Sequence, residues 1–394
     1  MAAGFPAAGA RWGGLFALAI ALGGCSATAL DLSYYLQTAQ GHFAVQGQAR
    51  PIDELLSGGA LDQRVAPKLR QAQEIREFAI HELALPANGS FRSYADIGRP
   101  FVVWNVFAAP ELSLKLKQWC FPVAGCVTYR GYFERAEAER QAQSLRAQGW
   151  EVQVAGVPAY STLGWFDDPL LSTFIHYPEG ELARLMFHEL AHQVVYLKGD
   201  SAFNESFAVA VEEAGVERWL ARRGDPTVEA AYRQYAARRA QFVEMLKRHR
   251  LRLETLYASG ASDEAKRAGK AEVFASLQAG YRELKSQWGG FAGYDRWFGQ
   301  QLGNAHLAAV ATYTAWVPGF RRLLAEQDGD MHRFFDVVRR LAREDKGQRD
   351  RMLARADDEE RRAAGAQRRD AEAQGRDAEA RRRDAPRMTL SSSH

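Results

Sequence analysis

Two imidazoles and a carboxylate share one stretch of the chain: FHELAHQVVY, residues 187 to 196, carries His188, Glu189 and His192. On an α-helix, positions i and i+4 sit one above the other on one face. His188 and His192 can therefore offer ring nitrogens to a single ion, with Glu189 beside them to handle the proton of a water. That is the pattern of zinc hydrolases. A catalytic zinc takes three protein ligands and keeps its fourth position for water, so the two histidines call for a third ligand. The chain also supplies a control, because residues 81 to 85 read HELAL, with Leu85 where the second histidine would stand. Only the later copy can chelate. Around it, Leu185, Met186, Phe187, Leu190, Ala191, Val194 and Val195 are uncharged, as expected of a buried catalytic helix.

The third ligand is sought downstream, in FNESFAVAVEEAG. The first helix is expected to stop near Lys198-Gly199, glycine being the usual residue just past a helix end, and Asp200 or Ser201 can cap the next helix. Two helices joined by a short turn pack as a hairpin, which returns Glu205 toward His188 and His192. Glu212, two turns further along the same face, could orient a ligand or bind a positively charged substrate group. Glu213 and Glu217 compete for these roles, with a solvated helix face as their plainer reading.

HELAH followed by NESFAVAVEEAG resembles the gluzincin arrangement of alanyl-aminopeptidase-type enzymes, in which an Asn-Glu-x-Phe-Ala segment bears the glutamate ligand; the gap is shorter here. SYYLQTAQGH, CFPVAGCVTYRGYF, AGVPAYSTLGWFDDPLLSTF and NAHLAAVATYTAWVPGF also resemble a family of predicted bacterial aminopeptidases, between about residues 33 and 320. The resemblance implies a zinc peptidase lipoprotein acting on peptides, with one Zn²⁺ ion and with His188, Glu189, His192 and Glu205 as functional positions. The Gly-x-Met-Glu-Asn sequence with which alanyl-type enzymes hold the substrate amine is absent. Gluzincins draw a hydrogen-bond donor for the oxyanion from a later helix, which points to Tyr313, with His306 in reserve. Zincins pair the substrate backbone with an edge strand placed before the metal helix, and EVQVAGVPAYS occupies that position. Asp167 and Asp168, just beyond it, either bind a substrate amine or form a turn before Pro169.

These residues need a scaffold of α+β class, mainly helical: a zincin-like core with a small mixed or antiparallel sheet and long helices. Helical spacing runs through residues 66 to 85 and 227 to 288, and RAEAERQAQSLRAQG is a polar-faced helix, while FVVWNVFAA at 101 to 109 reads as strand. His81 is then a surface histidine, and His249, among Lys and Arg, is a poor ligand.

Residues 1 to 24 read as a lipoprotein signal peptide. Arg11 precedes a short apolar run from Leu15 to Leu22, and Gly23-Gly24-Cys25 follows as a lipidation box with Cys25 as acylated first residue. By resemblance to bacterial sorting rules, Ser26 directs the anchored protein to the outer membrane, on the periplasmic side. Of the three cysteines this leaves Cys120 and Cys126, which can pair in an oxidising compartment; so small a loop contributes about 2 kcal/mol in the chain-entropy model. Residues 25 to 350 form the peptidase domain, with its metal helices at about 180 to 222. Residues 351 to 394 form a charged low-complexity tail that repeats DAEA and cannot bury a core. A formal charge of +3 is too mild for a nucleic-acid partner, and 47% hydrophobic with 25% charged residues is ordinary globular composition.

The expected activity is therefore a zinc-dependent peptidase, an aminopeptidase by resemblance. The alternatives are an envelope endopeptidase with the same metal, or a non-catalytic lipoprotein serving as a binding or scaffold module around a structural ion. A structural site would fill all four positions, and no fourth His or Cys lies near in the sequence.

Overall fold

A computed structural model describes residues 32–354 apart from residue 60 and residues 122–124, with the backbone alone at residue 32 and residues 311–314. Cys25, the expected signal peptide and the chain from residue 355 onward lie outside the described residues. The architecture is α+β and mainly helical. α1 (Leu32–Gln46), β1 (Arg50–Pro51), α2 (Ile52–Ser57) and α3 (Val65–Leu83) open the chain. There follow β2 (Ser93–Ala95), β3 (Val103–Pro110), β4 (Trp119–Phe121), β5 (Gly125–Val127), β6 (Arg130–Tyr132), α4 (Arg135–Ala147), β7 (Trp150–Val157) and β8 (Leu170–Leu171). The rest is helical: α5 (Glu179–Ala191), α6 (Ser201–Arg223), α7 (Pro226–Ala258), α8 (Asp263–Gln287), α9 (Asp295–Phe298), α10 (Asn304–Thr314), α11 (Val317–Ala325) and α12 (Met331–Leu341).

The main sheet is antiparallel in the order β6-β3-β7, so β7 is an edge strand that pairs along its whole length with β3, from Val103↔Val157 to Pro110↔Trp150. Side chains alternate across a strand. In this register Val103, Asn105 and Phe107 share a face with Gln153, Ala155 and Val157, and all six line one large cavity. A second sheet, β1-β2-β8, mixes an antiparallel and a parallel pair. The hairpin β4-β5 is closed by the Cys120–Cys126 disulfide. Its Gly125, at φ 76°, lies so close to Gly199 that an added Cβ would stand 2.7 Å from the Gly199 nitrogen. The disulfide hairpin therefore abuts the turn between α5 and α6.

Local chemistry sets the helix ends. Gly224 takes the left-handed conformation after α6, Pro226 occupies the first turn of α7, and Asp225 caps it by accepting from Thr227 N–H at 2.9 Å. The largest core packs α3, α5, α6, α11 and α12 around fully buried Phe187, Phe207, Phe320, Phe334 and Phe335. A second, more aromatic core lies between α7 and α8, with Phe242 stacked on Tyr294 and Tyr281 on Phe298. No helix among the described residues is long and apolar enough to cross a membrane.

Past α12 the chain turns helical again over residues 346–354, and Leu353 is buried against Gly319. Apolar Leu353, three residues past the domain boundary expected at residue 350, packs with the body. Arg349, also buried, donates to Asp200 Oδ2 at 3.1 Å, while Asp200 Oδ1 accepts from Phe203 N–H as the N-cap of α6.

Candidate active site

α5 and α6 carry the site. Glu179 and Glu181 sit in the first turn of α5, where a carboxylate complements the helix dipole. Its apolar residues Leu182, Leu185, Met186, Phe187 and Leu190 are buried. α6 approaches closely because Gly215 faces Phe187; a Cβ there would meet that ring at 2.7 Å and Leu83 at 2.8 Å.

The expected end of the first helix needs correction. α5 stops at Ala191 with His192 as its cap, well before Lys198-Gly199. Distant side chains hold the following segment out of the helix. The Gln193 side chain accepts from the Asn88 amide at 2.7 Å and donates to Ser90 Oγ. Leu197 exchanges two hydrogen bonds with the Asn204 side chain at 2.7 and 2.9 Å. Asn204 thus ties the connection to the helix that bears the adjacent Glu205.

Three ligand-type atoms converge. His188 Nε2 lies 3.2 Å from His192 Nε2 and 3.3 Å from Glu205 Oε2, and His192 Nε2 lies 3.8 Å from the same oxygen. Among the described residues this is the one such His/Cys/Asp/Glu group able to hold a metal ion. On the other side of the ring, His188 Nδ1 meets Glu212 Oε2 at 2.9 Å, and Arg184 grips both oxygens of Glu212 at 3.0 and 2.9 Å. Arg184 also donates to Glu181 at 2.8 Å, and Arg239 reaches Glu181 at 3.4 Å. The result is a buried chain of alternating charge. Removing one member would leave its neighbour's charge without a partner.

The electrostatics follow from that chain. Burial opposes charge on His188, but hydrogen bonds to the carboxylates of Glu205 and Glu212 outweigh it and raise the ring to about 10. Burial lowers His192 to about 4 against the attraction of Glu205. Burial would raise Glu212, yet Arg184 and His188 hold it at about 2; Glu205 is lowered by His192 and His188 against the same opposition. Glu189 has no hydrogen bond or ion pair among the described residues, and burial raises it to about 7 against the pull of His188. His192 Nδ1 is buried without a partner. Converging lone pairs, two imidazoles and a carboxylate in a buried site with one ring fixed by a second carboxylate, are the donor set of a metal centre.

The group opens into a cavity of about 2260 Å³ lined by His188, Glu189, His192, Glu205 and the β3/β7 face. Asp168 stands behind the wall. Its Oδ2 accepts from Thr162 N–H at 2.9 Å, Oδ1 is buried without a partner, and burial raises the carboxyl to about 6. Asp167 reaches the region of α1 through its carbonyl, which accepts from Gln46. Glu213 is held by Arg321 at 2.7 Å, and exposed Glu217 lies on the cavity rim. His306 lines the cavity, its Nδ1 accepting from Gly303 N–H at 3.2 Å. The backbone of Tyr313 belongs to α10, but its side chain lies outside the described residues.

Several residues were not singled out from sequence. Arg184 sits one helical turn before His188, the spacing that could have revealed it. Tyr129 and Tyr196 line the cavity, and burial together with the charge of Glu205 raises both phenols, Tyr129 well above the ordinary range. His42 Nδ1 meets Tyr160 Oη at 2.9 Å across a separation in sequence that no local pattern encodes.

The model of a family described as "Putative aminopeptidase" matches residues 33–353. No curated protein and no solved structure matches the chain.

Proposed function

The chain belongs to this aminopeptidase family, and on that premise we propose that it is a zinc-dependent peptidase cleaving residues from the amino end of peptides. The observation that carries the reading is the spacing of the three converging atoms. Ligands about 2.0–2.1 Å from a tetrahedral zinc stand about 3.3 Å apart, and the His188, His192 and Glu205 atoms are separated by 3.2, 3.3 and 3.8 Å. His188, His192 and Glu205 would hold the ion, in a zincin-like core. When bound, zinc supplies Lewis-acid polarisation of a carbonyl oxygen and of water.

The chain's own residues do the rest. Glu189, free of competing partners, takes the proton of the attacking water and returns it to the leaving amine. Glu212 fixes the His188 ring through Nδ1, leaving Nε2 for the ion. Tyr313 keeps the role that the resemblance implies, donor to the scissile carbonyl. Tyr129 is the described phenol near both Glu189 and Glu205. Of Tyr313→Phe and Tyr129→Phe, the donor is the one whose change lowers kcat and leaves KM unaltered. Asp168, buried behind the cavity wall with its Oδ2 held by Thr162 N–H, is proposed to hold that wall in place beside the bound substrate amine and not to touch it.

We also propose that residues 1–24 are a lipoprotein signal and that acylated Cys25 anchors the enzyme to the periplasmic side of the outer membrane. The packed body would run to about residue 354, with the charged tail outside the catalytic unit, so removal of residues from 356 onward leaves activity intact. The deciding experiment is metal analysis of the purified protein combined with hydrolysis of a free-amine peptide and its acetylated twin. One zinc per chain and cleavage of the free-amine peptide alone are expected. Equal cleavage of both peptides would make the enzyme an endopeptidase, and a folded chain that takes up no metal would end the reading.

A further inference from the structure

Four of the six large apolar residues exposed on the described surface gather at one place: Leu36 and Phe43 on α1, and Trp165 and Phe166 in the loop before β8. Leu36 and Phe43 are seven positions apart, two turns along one face of α1. The Phe43 and Phe166 rings stand 6.2 Å apart, and Phe166 lies 4.5 Å from the His42 ring. Trp165, 76% exposed, extends the patch beyond them. Burying such side chains in a protein core was available to the fold and was not used.

The chemistry of the patch narrows what covers it. Lys, Arg, Asp and Glu make up 25% of the chain, yet none occurs from Leu32 to Ala49 or from Ser161 to Phe166. A protein partner is normally met across a polar, charge-bearing rim. An uncharged face carrying Leu36, Phe43, Trp165 and Phe166 suits the boundary between lipid headgroups and acyl chains, where no ion has to be stripped of water and indole is favoured. Reach agrees. Cys25 precedes Leu32 by seven positions, which even a fully extended chain spans in no more than about 25 Å.

We propose that the α1 stripe and the 161–166 loop form a membrane-docking face that rests on the lipid surface. This rests on the proposed acylation of Cys25 for the body's proximity to the bilayer, but not on the peptidase chemistry. An amino-terminal lipid anchor keeps a protein at the bilayer without setting its orientation, and a second apolar contact turns tethering into a fixed pose. His42 and Phe166 also line the catalytic cavity, so docking places that stretch of its wall at the interface.

The test uses the full, processed chain on vesicles of phosphatidylethanolamine and phosphatidylglycerol, with and without bromine on the acyl chains. Tryptophan emission of wild type is compared with Trp165→Phe, and the amino-terminal peptide is weighed for acylation. The expected result is that brominated lipid quenches the Trp165 contribution, taken as the difference between the two proteins, by more than about half. Phe43→Ser, at an exposed site, should weaken that quenching without unfolding the protein. An unacylated chain that still floats and is quenched would keep the docking face and remove the anchor. An acylated chain that floats with Trp165 unquenched overturns the docking face and keeps the anchor. Trp165 buried in a dimer without vesicles would also overturn it, making a second copy the occupant.

Discussion

At residues 81–84 and again at 188–191 the chain places His-Glu-Leu-Ala at the end of a helix, and both copies pack against α6. The first meets the basic end of that helix. Glu82 pairs with Arg222 at 2.8 Å, and His81 is exposed, its Nε2 3.5 Å from Glu77. Ala84 then turns left-handed at φ 52°, and buried Leu85 enters the core. The second copy meets the acidic half of α6, where Glu205 and Glu212 take opposite sides of the His188 ring. Four identical residues therefore make a surface helix end in one place and a metal-type cluster in the other. The difference comes from the fifth residue and from the acids that the neighbouring helix presents.

His192→Ala converts the second copy into something close to the first and carries the largest expected effect. Metal content should fall from one ion to none, with peptidase activity abolished; retained metal in elemental analysis would break the comparison. Glu189→Gln tests whether the carboxylate common to both copies acts only beside an ion. Activity should drop by at least about a hundredfold while the metal stays. Glu212→Gln removes what the first copy never had, a charged brace on the ring. Metal affinity, read by competition with a chelator, should weaken by about 10–100-fold. His81→Ala is the smallest: metal and activity unchanged, and unfolding free energy in urea within about 0.5 kcal/mol of wild type.

The parts of the site that repeat with helical period were legible in the sequence. His188 and His192 needed only the i,i+4 rule; Glu205 was reached through an expected short turn after Lys198-Gly199, whereas the connection between the helices runs over residues 192–200. The class and the positions of the longer elements, such as α3, α7 and α8, were legible for the same reason, since amphipathic runs such as residues 66–85 reflect burial on one face. The end of α5 was not. Residues 193–198 contain no proline or glycine, and what stops the helix is the hold of Asn88 and Ser90 on Gln193 and of Asn204 on Leu197. The Arg184–Glu212 clamp, the His42–Tyr160 contact and the cavity itself were equally hidden, because each joins segments that only the finished fold brings together. Leu353 shows how one apolar side chain in a charged neighbourhood can pack with the body where composition alone reads as tail.

The grip of Arg349 on Asp200 has a consequence for the order of events in synthesis. The cap of the helix that delivers Glu205 is completed by a residue made 149 positions later. A nascent or truncated chain ending before that arginine already carries every candidate ligand, but the start of α6 lacks its buried counter-charge. Ordering of the candidate metal site is thus tied to the arrival of residues made long after its own.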